Sequence, residues 1–247
     1  MIQSRLERLS LEAQTLTQVA ATIGHGFDVE LLAHATGKDE EAVLSGLDEL
    51  WQRRIMREYD GVCYDFSHDR IRDVAYAMIG PVRRRLLHRQ VAKALERIHG
   101  DDADPVAEEL AIHYRRADAF KQALAYFRQA ADAAKCVYAH ATVVENLQNA
   151  IAAVQMLPAS PENKEIEINL WYGLGLAEIL VHDWGSEPVG AAWNRAYELA
   201  MQTDSVSLRG RAFLALQTIH GSRGNCAKLS SFLGLRCLWL KIPRIHF

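Results

Sequence analysis

Residues 110–130 read LAIHYRRADAFKQALAYFRQA, and this stretch decides the fold class of the chain. Large and small side chains follow one another in it at the spacings of two consecutive helices. The pattern has a large, a small and a large residue in the first helix, then a small, an aromatic and a small residue in the second. The matching positions are Leu110, Ala111, Tyr114, Ala123, Phe127 and Ala130. Small residues let the two helices approach closely and large ones fill the groove to the next pair, so the stretch predicts a helix pair.

The same pattern occurs a second time further along the chain. Its positions are taken there by Leu176, Ala177, Leu180, Val189, Trp193 and Ala196. The two matches begin at residues 110 and 176, which is close to two periods of the roughly 34-residue tetratricopeptide repeat that they resemble. The stretch 141–157 between them fits less well, and an ordinary helical bundle is the alternative. A third repeat begins with Phe213, Leu216 and His220 at the large positions.

Three short helices are predicted before these pairs. Ser10 and Asp28 stand where a side chain can cap the first turn of the first two, and Asp39 opens the third together with Glu40 and Glu41. On the third helix we expect one apolar face, formed by Val43, Leu44, Leu47, Leu50 and Trp51. Two short extended segments then flank Asp60-Gly61, which is a strong hairpin signal. Three helices followed by a hairpin are the outline of a winged helix.

The predicted fold is therefore mainly α, with an N-terminal winged helix that includes a small β-hairpin. Tetratricopeptide-like helical repeats follow and are expected to form an α-solenoid. Four regions are predicted in chain order. They are a winged-helix domain (1–79), a connecting helix and linker (80–104), helical repeats (105–224) and an atypical tail (225–247).

The composition indicates a cytoplasmic protein. The 247-residue chain has a formal net charge of −3, which argues against a dedicated nucleic-acid binder. Four cysteines are scattered without a C-x-x-C pair, as expected for a reducing compartment. No apolar run approaches about 18 residues, so no membrane association is expected.

The chain lacks the motifs of known catalytic chemistry, and we expect no enzyme activity, no cofactor and no metal site in it. Gly37-Lys38 is the nearest approach to a phosphate-binding loop, but Leu32 replaces the first glycine and Asp39 replaces the hydroxyl residue. The ten histidines are spread without the spacing of metal ligands.

One basic segment lies at 81–89, where three consecutive arginines begin at Arg83. It could contact phosphate. We favour a solvated helix face, opposite a buried stripe formed by Leu86, Leu87, Val91, Ala94 and Leu95. DNA reading by the helix 39–52 is disfavoured because its five carboxylates would repel phosphates.

Residues 64–76, Tyr-Asp-Phe-Ser-His-Asp-Arg-Ile-Arg-Asp-Val-Ala-Tyr, carry a more specific resemblance. They resemble the end of the winged helix in STAND-type signal-transduction ATPases, including the NB-ARC proteins, where a Met-His-Asp motif occurs. Ser67 stands where the methionine is common, and Phe66 fits the bacterial branch. The resemblance implies that His68 and Asp69 sense nucleotide, with the histidine reaching the ADP phosphate. It also implies that ATP or ADP binds to a P-loop domain of a longer parent, upstream of Met1.

Two functions follow from these observations. The first is a non-catalytic fragment of a STAND-type regulatory ATPase, which couples a nucleotide-switch module to a repeat-based sensor. The alternative is a free-standing tetratricopeptide-like scaffold that binds a peptide or protein. In either case a protein, a peptide or a small effector would bind an exposed groove on the repeats, for which the candidates are Tyr114, Trp171 and Tyr172.

The last twenty-odd residues do not match the repeat pattern. Acidic residues are absent after Asp204, and the segment from Cys226 to Phe247 is rich in Leu, Phe and Trp. If the reading frame is shifted by one base, the codons of this segment can encode the alternating apolar and acidic residues of a repeat helix. We therefore expect a frameshifted tail and an internal start at Met1, with a genuine apolar end as the alternative.

Overall fold

The computed structural model describes residues 2–59 and 63–222, and the predicted tail (225–247) lies outside them. Over the described residues the chain is mainly helical with one two-stranded sheet, which confirms the predicted class. It divides into two compact units, Met1–Ala130 and Ala131–Phe247. The four predicted region boundaries stay predictions. Over this part of the chain, no helix is long and apolar enough to span a bilayer.

The N-terminal helices of the first unit begin where capping side chains allow them to. They are α1 (Ile2–Leu6), α2 (Leu11–Ile23), α3 (Val29–Thr36) and α4 (Glu40–Gln52). Ser10 Oγ accepts a hydrogen bond from the Ala13 amide at 3.1 Å, and Asp28 Oδ1 accepts one from the Leu31 amide at 2.6 Å. Asp39 caps α4 in the same way. The two predicted caps, Ser10 and Asp28, are confirmed, whereas the capping role of Asp39 and the helix α1 were not predicted.

A β-hairpin follows α4 and is held against the helices by buried aromatic residues. Strand β1 (Met56–Tyr59) pairs antiparallel with β2 (Cys63–Phe66), with Met56 opposite Phe66. Phe27 forms an isolated bridge with Tyr64 in β2, and the Phe27 side chain is buried. The predicted Asp60-Gly61 turn lies outside the described residues.

Helix α2 forms the centre of the core in this unit. Leu16 on α2, Leu32 on α3 and Leu50 on α4 are completely buried. Helices α2 and α4 approach so closely that a Cβ on Gly46 would overlap the side chain of Leu16. The close contact explains why the residue at this position of α4 has no side chain.

The remaining helices of the first unit follow the hairpin directly. They are α5 (Asp69–Ala77), α6 (Pro81–His99), α7 (Ala107–Arg116) and α8 (Phe120–Cys136), which continues into the second unit. Helices α7 and α8 form the helix pair predicted from residues 110–130, and all six of its pattern positions are buried. Asp118, with φ of 56°, lies in the tight turn between them.

The described part of the second unit contains four further helices, α9 (His140–Gln155), α10 (Pro161–Val181), α11 (Glu187–Ala200) and α12 (Val206–Ser222). Trp193 on α11 is buried against Gly175 on α10, where a Cβ would overlap the indole ring. Its Nε1 donates to the Tyr172 carbonyl at 3.1 Å. At the start of the predicted third repeat, Leu216 is buried and Phe213 is half-buried. The His220 side chain lies outside the described part.

Three apolar residues that were expected in the core are exposed instead. On α4 the buried stripe is Val43, Gly46, Leu47 and Leu50, and Leu44 and Trp51 lie outside it. Leu86 on α6 is also exposed, unlike its neighbour Leu87. Each helix is covered along one narrow stripe, and these three side chains lie on the uncovered side.

Candidate functional site

The residues implied in nucleotide sensing lie at the beginning of α5. His68 is the N-cap residue of this helix, and its exposed side chain makes no capping hydrogen bond. It also has no ion pair with any described residue. The next residue, Asp69, is exposed as well. The structure therefore leaves His68 accessible to a partner or ligand.

A cluster of charged side chains surrounds this helix start. His25 Nδ1 lies 3.6 Å from Asp65 Oδ2 and 3.9 Å from Asp69 Oδ1. Arg72 contacts the other ring nitrogen of His25 and donates to Asp73 Oδ1 at 2.9 Å. No group of three or more potential ligands in the described residues is arranged to hold a metal ion.

Lys38, the lysine of the incomplete phosphate-loop match, is engaged by a carboxylate. Its ammonium group pairs with the Glu12 carboxylate of α2. It lines a shallow depression of about 450 Å³ between the start of α4 and the end of α6. The lining carries charges of both signs, including those of Glu30, Glu40 and Arg97.

Tyr114 was expected in an exposed groove, and this expectation is wrong. Its side chain is only 3% exposed, and its ring stacks on Tyr126 at 5.7 Å with an interplanar angle of 3°. Tyr126 donates to Glu96 Oε1 at 2.8 Å. Burial and the neighbouring Glu96 raise the pKa of Tyr126 to about 12 and raise the pKa of Tyr114 further. Tyr114, which stands at a large position of the repeat pattern in α7, is therefore a core residue and not part of a groove.

The other two groove candidates are half-buried in the second unit. Trp171 packs against an apolar cluster formed by Ile168, Leu199, Ala200, Leu208 and Ala212. Tyr172 stacks on Trp193 at 6.1 Å, and the Arg211 guanidinium lies 4.9 Å from the centre of its ring. Both rings are therefore packed against neighbours and only partly accessible.

Sequence reasoning missed an exposed apolar stretch at the end of α10. Leu176 and Leu180 lie at large positions of the repeat pattern, yet they are 44% and 62% exposed. Trp184 follows in the next turn and is half exposed. The repeat pattern itself marks these positions as ones that contact a neighbouring element.

The sequence analysis also missed a buried histidine pair in the first unit. His88 on α6 and His113 on α7 are both buried, and their Nδ1 atoms lie 2.9 Å apart. The Tyr76 hydroxyl lies 2.8 Å from His88 Nε2, and Glu109 Oε1 lies 3.8 Å from His113 Nε2. Helical spacing could have identified His88, because it lies between Leu87 and Val91 in the buried stripe of α6.

This pair favours uncharged histidine at position 88. Burial lowers the pKa of His88 to about 3, and the charges of His113, Arg116 and Arg84 lower it in the same direction. At 2.9 Å, one Nδ1 must donate and the other accept. If both rings were charged, both Nδ1 atoms would carry a proton and point at each other. At this distance only one of the two Nδ1 atoms can be protonated.

No protein-family model matches the chain, and no curated protein matches its sequence. Among solved structures, the chain is similar to a STAND protein (a signal transduction ATPase with numerous domains) with a tetratricopeptide repeat sensor from Pyrococcus horikoshii. The two sequences are 10% identical, the match covers 92% of this chain and 50% of that one, and the TM-score is 0.27. A TM-score this low does not establish a common fold.

Proposed function

We propose that the chain is the non-catalytic part of a STAND-type regulatory ATPase. In this role a winged helix belongs to a nucleotide switch, and the following helix pairs form a sensor for a protein, a peptide or a small effector. The ATPase domain that binds ATP or ADP would belong to a longer parent, and the cytoplasm is the expected compartment. A nucleotide would favour one arrangement of such a switch and a sensed ligand the other.

The state of His68 is the observation that carries the proposal. The side chain is exposed and lacks a partner among the described residues, and it stands at the N-terminus of α5 immediately after the hairpin. The amide groups at this end of a helix carry partial positive charge and favour anions. A phosphate held by a neighbouring domain could therefore accept a hydrogen bond from this ring without any rearrangement of the core.

The helix pairs support the sensor role. In the pair α7–α8 the small residues Ala111 and Ala123 are completely buried, as the repeat pattern requires for close approach. In the pair α10–α11, Ala177 and Ala196 are likewise buried. The partly exposed Trp171 and Tyr172, together with the exposed stretch at the end of α10, are the surfaces where we expect a ligand of this unit.

The proposal is tested first on the DNA that precedes the Met1 codon. It should encode a P-loop domain in a continuous or once-interrupted frame. In a protein that joins this P-loop domain to the present chain, His68→Ala should weaken ADP binding about tenfold. This corresponds to one charge-assisted hydrogen bond of about 1.4 kcal/mol. His34→Ala, which alters an exposed histidine of α3, is the matched control and should leave the affinity unchanged.

Two results would contradict the regulator role. One is the absence of any P-loop sequence upstream, and the other is unchanged ADP affinity in the His68→Ala protein. The isolated chain should neither hydrolyse ATP nor bind ADP tightly. Micromolar ADP binding by this chain alone, abolished by His68→Ala, would instead move the nucleotide site into it.

The alternative function is a free-standing scaffold that binds a peptide or protein. The exposed Leu176 and Leu180 favour it, because an apolar stretch of this kind is typical of a docking surface. Under this alternative Leu180→Ser should abolish binding of the partner, whereas His68→Ala should have no effect. The two variants therefore separate the two functions in one binding assay.

A further inference from the structure

Helix α4 exposes a face that combines acidic and apolar side chains. The apolar members are Leu44 and Trp51, which are 45% and 62% exposed. Around them lie the exposed carboxylates of Glu40, Glu41 and Asp48. The helix contains no lysine or arginine, and these three carboxylates form no ion pair with any described residue. We call this set of five residues the acidic face.

Helix α6 exposes a face of the opposite charge. Its apolar members are Val82 and Leu86, which are 71% and 54% exposed. They share the exposed surface of the helix with four basic residues, Arg83, Arg89, Lys93 and Arg97. We call this set of six residues the basic face. The only carboxylate on α6, Glu96, is half-buried and accepts the hydrogen bond from Tyr126.

Local pairing does not neutralise the basic face. Arg85, at its edge, pairs with Asp118 at 2.8 Å, and Arg89 donates to the Ala117 carbonyl at 3.3 Å. Arg83, Lys93 and Arg97 have no ion pair or hydrogen bond with any described residue. Exposed apolar side chains flanked by unpaired charges of one sign are typical of surfaces that bind a partner.

We propose that the acidic face of one molecule docks on the basic face of a second copy of this chain. Each face supplies what the other lacks, because carboxylates meet guanidinium and ammonium groups while Leu44 and Trp51 cover Val82 and Leu86. The two faces lie on different helices of one molecule and adjoin where Glu40 and Arg97 line the same depression. The contact between copies is therefore heterologous and leads to a ring or an open chain of molecules. The proposal does not depend on the nucleotide-switch role.

The strength of this association follows from the size of the faces. One helix face on each side is smaller than the roughly 800 Å² per partner of a stable interface, so we expect a dissociation constant of about 10 to 100 µM. The charges are exposed and therefore screened by salt. Association should be evident at low ionic strength and should weaken strongly at about 500 mM salt.

The experiment is sedimentation velocity of the full chain up to about 300 µM, at about 50 mM and about 500 mM NaCl. The variant Arg83→Glu with Lys93→Glu reverses charges on the basic face, and Glu41→Lys with Asp48→Lys reverses charges on the acidic face. Each should raise the dissociation constant at least tenfold. The control, Lys121→Glu with Arg128→Glu on exposed positions of α8, makes the same change in net charge as the basic-face variant and should leave association unchanged.

Mixing the two face variants provides the decisive measurement. Each variant alone should be monomeric, but the first retains an intact acidic face and the second an intact basic face. The mixture should therefore form a heterodimer with the affinity of the unaltered chain. A monomeric parent chain at about 50 mM NaCl, or a mixture that stays monomeric, would overturn the proposal.

Other occupants of the two faces would give other patterns. If residues after 222, which contain Arg and Lys but no acid, cover the acidic face, only its reversal would alter sedimentation. If the basic face binds a different acidic protein, the isolated chain would remain monomeric in every variant. Both patterns contradict a contact between copies of this chain.

Discussion

Acidification should destabilise the first unit through the buried pair of His88 and His113. His88 lies among the Tyr76 hydroxyl of α5, the Arg84 guanidinium of its own helix, and His113 and Arg116 of α7. Among the described residues, only the Glu109 carboxylate forms an ion pair with these rings, at 3.8 Å from the far nitrogen of His113. A proton added to His88 therefore gains a charge in a buried site that already has positive neighbours.

The magnitude follows from the two pKa values of His88, about 3 in the folded chain against an ordinary value of 6.5. Above pH 6.5 the ring is neutral in both states and pH has no effect through it. Below pH 6.5, His88 binds a proton in the unfolded chain but stays neutral in the folded chain. The free energy of unfolding therefore decreases as the pH falls. At about 1.4 kcal/mol per pH unit, the free energy of unfolding should drop by about 2 kcal/mol between pH 6.5 and pH 5.

Urea unfolding followed by circular dichroism at pH 7 and pH 5 measures this loss. His88→Gln retains hydrogen bonding to Tyr76 but cannot be charged, so its loss between the two pH values should be smaller by about 2 kcal/mol. His34→Gln, at an exposed histidine, should retain the full loss. An equal loss in the His88→Gln chain and in the unaltered chain would refute the assignment of acid sensitivity to this pair.

Three further changes test the packing and the exposed site by urea unfolding at pH 7. Gly175→Ala should cost about 1–3 kcal/mol because its Cβ overlaps the ring of Trp193, whereas Gly173→Ala on the same helix has space and should not. Asp28→Ala should cost about 1 kcal/mol through loss of the α3 cap, and an unchanged stability would contradict that role. His68→Ala should change stability by less than about 0.5 kcal/mol, since a larger loss would mean that the ring has a structural partner.

Local signals in the sequence were sufficient to predict where several helices begin. A capping side chain fixes the start of a helix through contacts within four residues, which is why Ser10 and Asp28 were identified correctly. The short helix α1 has no such signal, and it was missed. Alternating small and large residues likewise predicted the helix pairs, because close approach of two helices requires small side chains at fixed positions.

The sequence could not show which side of a helix would be covered by another element. Helical periodicity places Leu44, Leu47 and Trp51 on neighbouring rows, but only a packing partner decides how many rows become buried. Helix α2 covers the row of Leu47 and leaves the other two exposed. The same limit explains Tyr114, whose position in the repeat pattern is compatible with either a groove or a core. Periodicity therefore identifies apolar faces, while the unpaired part of each face, where a partner can bind, is defined only by the tertiary structure.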